Sequence, residues 1–189
     1  MSDAVVTTLQ AHLETWWGPC DVRVWEHGPM RHDCPDFRVL QSERERDGAW
    51  LYASAGASSL RQVERTGHEF FLVAPEECPS LVEAVTVVAH YALFGDHDGV
   101  HEGHTLNLGR PWLPGSACDH LYLSTAYLLP REFAVLAHPK GSAHLLWAVP
   151  ITEGEKRWRH EHGQEAFEQL MEDRSLVPFD PHREQLALP

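Results

Sequence analysis

The sequence is short of positive charge: 15 Lys and Arg stand against 28 Asp and Glu, a formal net charge of −13 with His neutral. A field of this sign repels nucleic acid and anionic membrane surfaces, so neither is an expected partner. A basic or amphipathic partner fits better. The charge should also depend steeply on pH, because the 14 His would become protonated below about pH 6.5.

Long apolar runs and cysteine motifs are absent as well. No stretch approaches the roughly 20 apolar residues that a transmembrane helix needs, and no apolar leader with a basic flank precedes the first predicted helix. We therefore expect a cytoplasmic protein. The four cysteines never form C-x-x-C and are expected to be free thiols, namely Cys20, Cys34, Cys78 and Cys118.

The spacing of apolar residues predicts one α/β domain with a central mixed, largely antiparallel sheet flanked by helices. Strands are predicted at 21–26, 37–41, 49–55, 69–74, 105–108, 120–125, 133–137 and 144–149. Helices are predicted at 3–17, 80–94, 152–160 and 164–173. The domain spans 1–176. A tail, 177–189, contains three Pro and few apolar anchors, and it is expected to be loosely attached.

Two of the predicted helices begin with the pattern of a capping box, in which the N-cap and N3 side chains satisfy each other's backbone N–H. The pairs are Ser80 with Glu83 and Thr152 with Glu155. The helix after Ser80 has so many apolar positions that we expect other elements to cover most of it.

Catalytic and cofactor motifs are missing. The chain has no glycine-rich phosphate-binding loop, and Gly115-Ser116-Ala117 lacks the second Gly of a nucleophile elbow. A domain of this size without a convergent catalytic set is expected to bind rather than to react. We therefore expect no enzyme activity, no catalytic residues and no cofactor.

The sharpest candidate for metal chemistry is the loop 96–104, which holds three His and three acidic residues. Imidazole and carboxylate bind borderline divalent ions, so a metal-dependent enzyme using His97, His101 and His104 is the alternative hypothesis. The spacing is poor, because two Gly break the segment and no H-E-x-x-H is present. The simpler interpretation is a solvated surface loop. A pH-responsive structural module that uses the 14 His is a third hypothesis.

Five segments, in order and with similar gaps between residues 22 and 172, together resemble the suppressor-of-fused family. Residues 50–58 resemble its W-x-Y-x-T-x-G-x-S core, and residues 69–75 its E-L-x-L-x-x-P strand. Residues 81–91 resemble its L-x-x-L-A-x-Y helix, and residues 103–106 its G-D-T-I strand entry. Residues 145–155 are similar to its closing F-L-x-L-x-P-I-T-x-x-E segment.

The resemblance implies a mixed sheet flanked by helices and a protein-binding role without catalysis. Bacterial single-domain members include immunity proteins that neutralise toxins, so the resemblance implies an immunity-type or regulatory protein. The net charge of −13 suits a basic partner. We expect an extended partner segment to add to a sheet edge or groove.

Two residues are implied in partner binding. In the animal protein, the aromatic residue matched by Tyr91 belongs to the peptide-binding region. The acidic residue of the G-D motif also belongs there, but His104 replaces it here, which removes a fixed negative charge. Alternatively, Tyr91 caps the core and His104 lies in a solvated turn.

Overall fold

A computed structural model describes residues 3–44, 47–60, 62, 66–95 and 99–188. The helices are α1 (Asp3–Trp16), α2 (Pro29–Asp33), α3 (Ser80–Phe94), α4 (Arg131–Ala134), α5 (Glu153–His162) and α6 (Gln164–Asp173), with a 3-10 turn at Ala57–Ser59. The strands are β1 (Cys20–Arg23), β2 (Arg38–Glu43), β3 (Trp50–Ala55), β4 (Thr66–Ala74), β5 (Thr105–Asn107), β6 (His120–Ser124), β7 (Val135–His138) and β8 (Gly141–Ile151).

The strands form one sheet in the order β1-β2-β3-β4-β8-β6-β5, with β7 also paired to β8. The β4–β8 pair is parallel, and the other pairs are antiparallel. The prediction of a mixed, largely antiparallel sheet flanked by helices is confirmed.

Strands β6 and β7 follow the same edge of β8 one after the other. The β7 pairing begins at Val135 opposite His144, and the β6 pairing ends at Ser124 opposite Trp147. The excursion 125–134, which contains α4, interrupts what would otherwise be one strand. This interruption leaves a notch in the sheet beside Leu145.

The side chains of the central strands point alternately to the two faces of the sheet and form a hydrophobic core on each face. On β4, Phe70 and Leu72 point to the face that α3 covers. Phe71 and Val73 point to the face that α1, α4 and α6 cover. Burial of each such large side chain contributes about 1.5–3 kcal/mol, so both helical layers are held mainly by apolar packing.

The helix starts agree only partly with the two predicted capping boxes. Thr152 and Glu155 form the predicted reciprocal bonds, but the box at Ser80 is wrong. The N-cap of α3 is Pro79, whose side chain has no hydrogen-bond acceptor, and no side chain caps the helix. Ser80 is already the first helical residue, and Glu83 forms an ion pair with Arg110.

The tail after residue 176 is anchored, so the expectation of loose attachment is wrong. Arg183 forms an ion pair of 2.7 Å with the buried carboxylate of Glu155, and the backbone N–H of Leu186 donates to the same carboxylate at 2.8 Å. The anchor is both polar and apolar, because Leu186 is also buried in the core on the α1 side of the sheet. The few apolar residues of the tail give no indication of its polar contacts. The boundary at residue 176 itself remains a prediction.

All four cysteines lie among the described residues and are free thiols, as predicted. Among the helices of the described ranges, none is long and apolar enough to cross a membrane.

Candidate protein-binding surface

Helix α3 carries apolar side chains on both of its faces. The inner face packs on the sheet through Leu81, Val85, Val88, Ala89 and Ala92. On the outer face, Val87, Tyr91 and Phe94 are 48 %, 42 % and 49 % exposed. Their i, i+4, i+7 spacing places them on one side of the helix. The expectation of a largely covered helix is therefore wrong for this side.

A groove of about 480 Å³ runs between this outer face and the chain that connects β1 to α2. Its second wall includes Trp25 and Met30, and both side chains pack on the α3-side core. The wall is therefore anchored to the core, whereas the exposed α3 side chains are open to solvent. A groove with one wall fixed to the core and one exposed apolar wall can receive apolar side chains of another molecule.

The charged groups around the groove are largely engaged with each other. Asp33 accepts from His32 and from His90, each at 3.1 Å. These hydrogen bonds, first from His32 and then from His90, hold the pKa of Asp33 below its usual value. Glu83, which lines the groove, is paired with Arg110. Because the charges are compensated locally, the groove offers mainly apolar contact.

The outer strand β5 offers a second kind of contact. It lies at one end of the sheet order, paired to β6, so among the described strands its outer edge has no neighbour. His104 directly precedes this strand, and its backbone carbonyl accepts from the N–H of Leu123 at 2.8 Å. The His104 ring lies against the His101 ring, with centroids 4.1 Å apart.

The two residues implied in partner binding therefore occupy different places. Tyr91 lines the α3 groove, whereas His104 is not among its lining residues. The structure adds Val87, Phe94 and Trp25 to the surface. The sequence signal for Val87 and Phe94 is that they are apolar positions of α3 outside the buried face that packs on the sheet. No local pattern marks Trp25, because the packing of β1 and α2 brings it to the helix.

The candidate metal ligands do not form a centre in the described part of the chain. His97 lies outside the described residues, and His101 and His104 are neighbours. Within the described ranges, no three His, Cys, Asp or Glu side chains are arranged to hold one ion. Nothing in this geometry supports a metal enzyme.

A mixed sheet with an open edge and an apolar helix groove is consistent with a protein-interaction module. The model of the family described as suppressor of fused protein (SUFU) matches residues 33–184. Because this match covers more than half of the chain, the protein belongs to the suppressor of fused family.

Solved structures show the same fold. The crystal structure of a protein from Neisseria gonorrhoeae assigned as a SUFU homologue matches with a TM-score of 0.82 and 26 % identity, covering 98 % of both chains. A chain of the Sufu–Fu complex matches with a TM-score of 0.68 and 11 % identity, and the match covers 99 % of this chain and 91 % of that one. Drosophila Suppressor of Fused matches with a TM-score of 0.53 and 13 % identity, and the match covers 79 % of this chain and 41 % of the Drosophila chain. A search of curated proteins finds no match.

Proposed function

We propose that this protein is a non-catalytic binding module that sequesters or neutralises a partner protein through the outer face of α3. The observation that carries the proposal is the exposed set Val87, Tyr91 and Phe94 above a groove walled by Trp25. Large apolar side chains on one side of a surface helix are costly to leave in water and are typical of docking faces. An enzyme has no comparable support in the described residues.

Tyr91 is proposed as the central contact of this surface. Its ring is amphipathic and 42 % exposed, so it can bury apolar area while its hydroxyl stays at the rim. Aromatic side chains of this kind contribute disproportionately to binding energy at interfaces.

The free edge of β5 is the second proposed contact, with His104 at its start. An extended partner segment that paired with β5 would gain backbone hydrogen bonds, and α3 would supply side-chain specificity. His104 has an imidazole where the family pattern implies a carboxylate. We therefore expect this edge to prefer partner segments of a different charge from those that the animal protein binds.

The partner is proposed to be basic. The chain carries a net charge of −13, and opposite charge raises the rate of association over distances of about 8–10 Å at ordinary salt. A toxin or a regulatory protein would meet this description, and an immunity-type role in the cytoplasm of a bacterium is the form we favour. The N. gonorrhoeae homologue supports a bacterial setting, and the Sufu–Fu complex shows that a structurally similar protein assembles with another.

The proposal is tested by a matched pair of substitutions. Val87→Glu places a charge on the α3 face, and Val177→Glu places one at a site of equal exposure, 49 % against 48 %, away from the groove. Proteins encoded by genes adjacent to this one are purified and titrated into each variant by calorimetry. Binding by the wild type and the control, with at least about tenfold loss in Val87→Glu, supports the proposal.

Two results would reject parts of it. Equal affinity of Val87→Glu and Val177→Glu for the same partner would exclude the α3 face as the docking surface. The neutralising role is tested separately by expressing the partner with and without this protein. A partner that is toxic alone and harmless in the pair supports immunity, and unchanged toxicity with a stable complex contradicts it.

A further inference from the structure

A second cleft, of about 590 Å³, opens at the notch where β6 and β7 part along β8. It shares no lining residue with the α3 groove. Four side chains that can carry positive charge line it, each from a different element: His68, His101, Arg131 and His144. Glu102 is the one carboxylate among its lining residues. In a chain of net charge −13, this is an unusual concentration of potential cations.

The parallel pairing of β4 and β8 creates the core of this arrangement. His68 and His144 are register partners, so their side chains leave the same face, and their rings lie 6.3 Å apart. Burial lowers the pKa of His68, and the nearby His144 and His101 lower it further, whereas a hydrogen bond with the backbone of Val100 opposes this. His68 is therefore neutral at neutral pH unless an anion arrives beside it.

The rest of the cleft is apolar. Leu129, Val135, Leu145 and Leu146 line it, and Tyr127 stands at its side. Val135, the first residue of β7, is 42 % exposed. A ligand that reaches the cations would therefore also cover exposed aliphatic surface.

The charges that face the cleft limit the ligand to a single negative charge. Arg131 is permanently positive and makes no ion pair among the residues that the structure describes. Burial raises the pKa of Glu102, the nearby Glu168 of α6 raises it further, and His101 opposes both. His104 lies against His101. One guanidinium and one newly protonated imidazole suit a monoanion better than a phosphate dianion.

We propose that this cleft binds a carboxylate carried on an apolar body, with Arg131 and the imidazoles of His68, His101 and His144 holding the carboxylate. Binding takes up a proton on His68. The carboxylate belongs either to a free aliphatic acid or to the C-terminus of a chain that ends in an apolar residue. The proposal does not depend on the partner surface of α3.

The test is calorimetric titration of the full chain with hexanoate and with hexanamide, its neutral isostere, at pH 7.5 and pH 6.5. Hexanoate should bind more tightly at the lower pH, by up to about tenfold for each proton taken up. The observed enthalpy should then vary with the ionisation enthalpy of the buffer. A short peptide ending in Leu, with a free or an amidated C-terminus, separates the two sources of the carboxylate.

The variants Arg131→Gln and His144→Asn remove two of the four cations from exposed positions, so neither should unfold the protein. Arg157→Gln and His160→Asn are the matched controls, since both are exposed on α5 and neither lines the cleft. Hexanoate affinity should fall at least about tenfold in Arg131→Gln and not in its control.

Several results would overturn the proposal. Equal binding of the acids and their amides at both pH values would exclude recognition of the carboxylate. Tighter binding of hexyl phosphate than of hexanoate would show that a dianion is preferred. No saturation by hexanoate or by the free-carboxyl peptide at millimolar concentration, or equal losses in the α5 controls, would reject the cleft as the site.

Discussion

Among the residues that the structure describes, two glutamates are completely buried, Glu69 on β4 and Glu155 on α5, and their surroundings differ in kind. Glu155 has a formal counter-charge, because Arg183 donates to both of its carboxylate oxygens at 2.7 Å. Glu69 has no counter-charge among the described residues and accepts instead from neutral groups of the 3-10 turn and of β3. The comparison shows that one fold satisfies a buried carboxylate either with a charge or with several dipoles.

The neutral surroundings of Glu69 serve to fix a turn. The backbone N–H groups of Gly56 and Ser58 each donate to it at 2.9 Å, and the Ser58 hydroxyl donates at 2.7 Å. The turn lies so close to β4 that a Cβ on Gly67 would come within 2.1 Å of the Ser58 carbonyl oxygen. Glu69 therefore holds two backbone segments in contact.

The ion pair of Glu155 joins parts of the chain that are distant in sequence. Besides Arg183, the carboxylate accepts from the N–H of Thr152 at 2.8 Å, as part of the capping box, and from Leu186. Arg183 also donates to the Pro150 carbonyl at 2.8 Å. One carboxylate thus caps a helix and fastens the tail.

The largest expected effect comes from removing the counter-charge of Glu155. Arg183→Met leaves a fully buried carboxylate without its cation, and the free energy of unfolding should fall by about 3–5 kcal/mol. Arg157→Met, an exposed substitution on the same helix as Glu155, should change it by less than about 0.5 kcal/mol. Urea unfolding measures both, and limited proteolysis should show cleavage after residue 176 in Arg183→Met alone. A tail that stays protected would contradict the anchoring role.

A smaller loss is expected when one neutral donor to Glu69 is removed. Ser58→Ala deletes a buried hydroxyl that donates to a carboxylate, which should cost about 1.5–3 kcal/mol. The hydroxyl of the neighbouring Ser59 donates to the Gly56 carbonyl at 2.9 Å and not to Glu69, so Ser59→Ala is a control in the same turn. Chemical denaturation of the two variants compares them directly. Equal losses would mean that the turn, and not the carboxylate contact, sets the cost.

Most of the fold could be predicted because the spacing of apolar residues in the sequence matches the buried positions of the observed strands and helices. The predicted strands 37–41, 49–55 and 120–125 overlap β2, β3 and β6 closely. The pairing of β4 with β8 could not be predicted, because it joins residues such as His68 and His144 whose separation in sequence leaves no local signal. Helix α2 was missed because its five residues lie in a Pro-containing connection.

The candidate surfaces could be predicted less well than the fold. Tyr91 is implied by the family resemblance and lies in the α3 groove, and its role in partner binding stays a prediction. The histidine cleft had no sequence signal beyond His101, since the sheet assembles it from β4, β8 and the excursion before β7. Clusters formed by tertiary contact are invisible to spacing arguments.

The third expected effect concerns the cap that Glu155 shares with Thr152. The Thr152 hydroxyl accepts from the N–H of Glu155 at 3.2 Å, so Thr152→Ala should cost about 1 kcal/mol, the usual value of an N-cap. Thr152→Ser keeps the acceptor and should recover most of it. Thermal or urea unfolding of both variants checks this. A loss in Thr152→Ser as large as in Thr152→Ala would show that packing of the methyl group dominates.

The smallest expected effect at neutral pH is that of Glu69→Gln, and the size of this effect should depend on pH. Burial raises the pKa of Glu69, although the hydrogen bonds from Ser54, Ser58 and Gly56 oppose the rise.

Below the ordinary pKa of glutamate, both the folded and the unfolded chain carry the proton. As the pH rises, the unfolded chain ionises first, so the stability that protonated Glu69 contributes is lost as the pH rises through its higher folded-state pKa. Glutamine has no such loss, so the destabilisation by Glu69→Gln relative to the wild type should be largest below about pH 4 and shrink towards pH 8. Urea unfolding of both proteins across that range measures the difference, in which the other titrating groups cancel. A difference that stays constant or grows with pH would mean that the neutral donors outweigh burial.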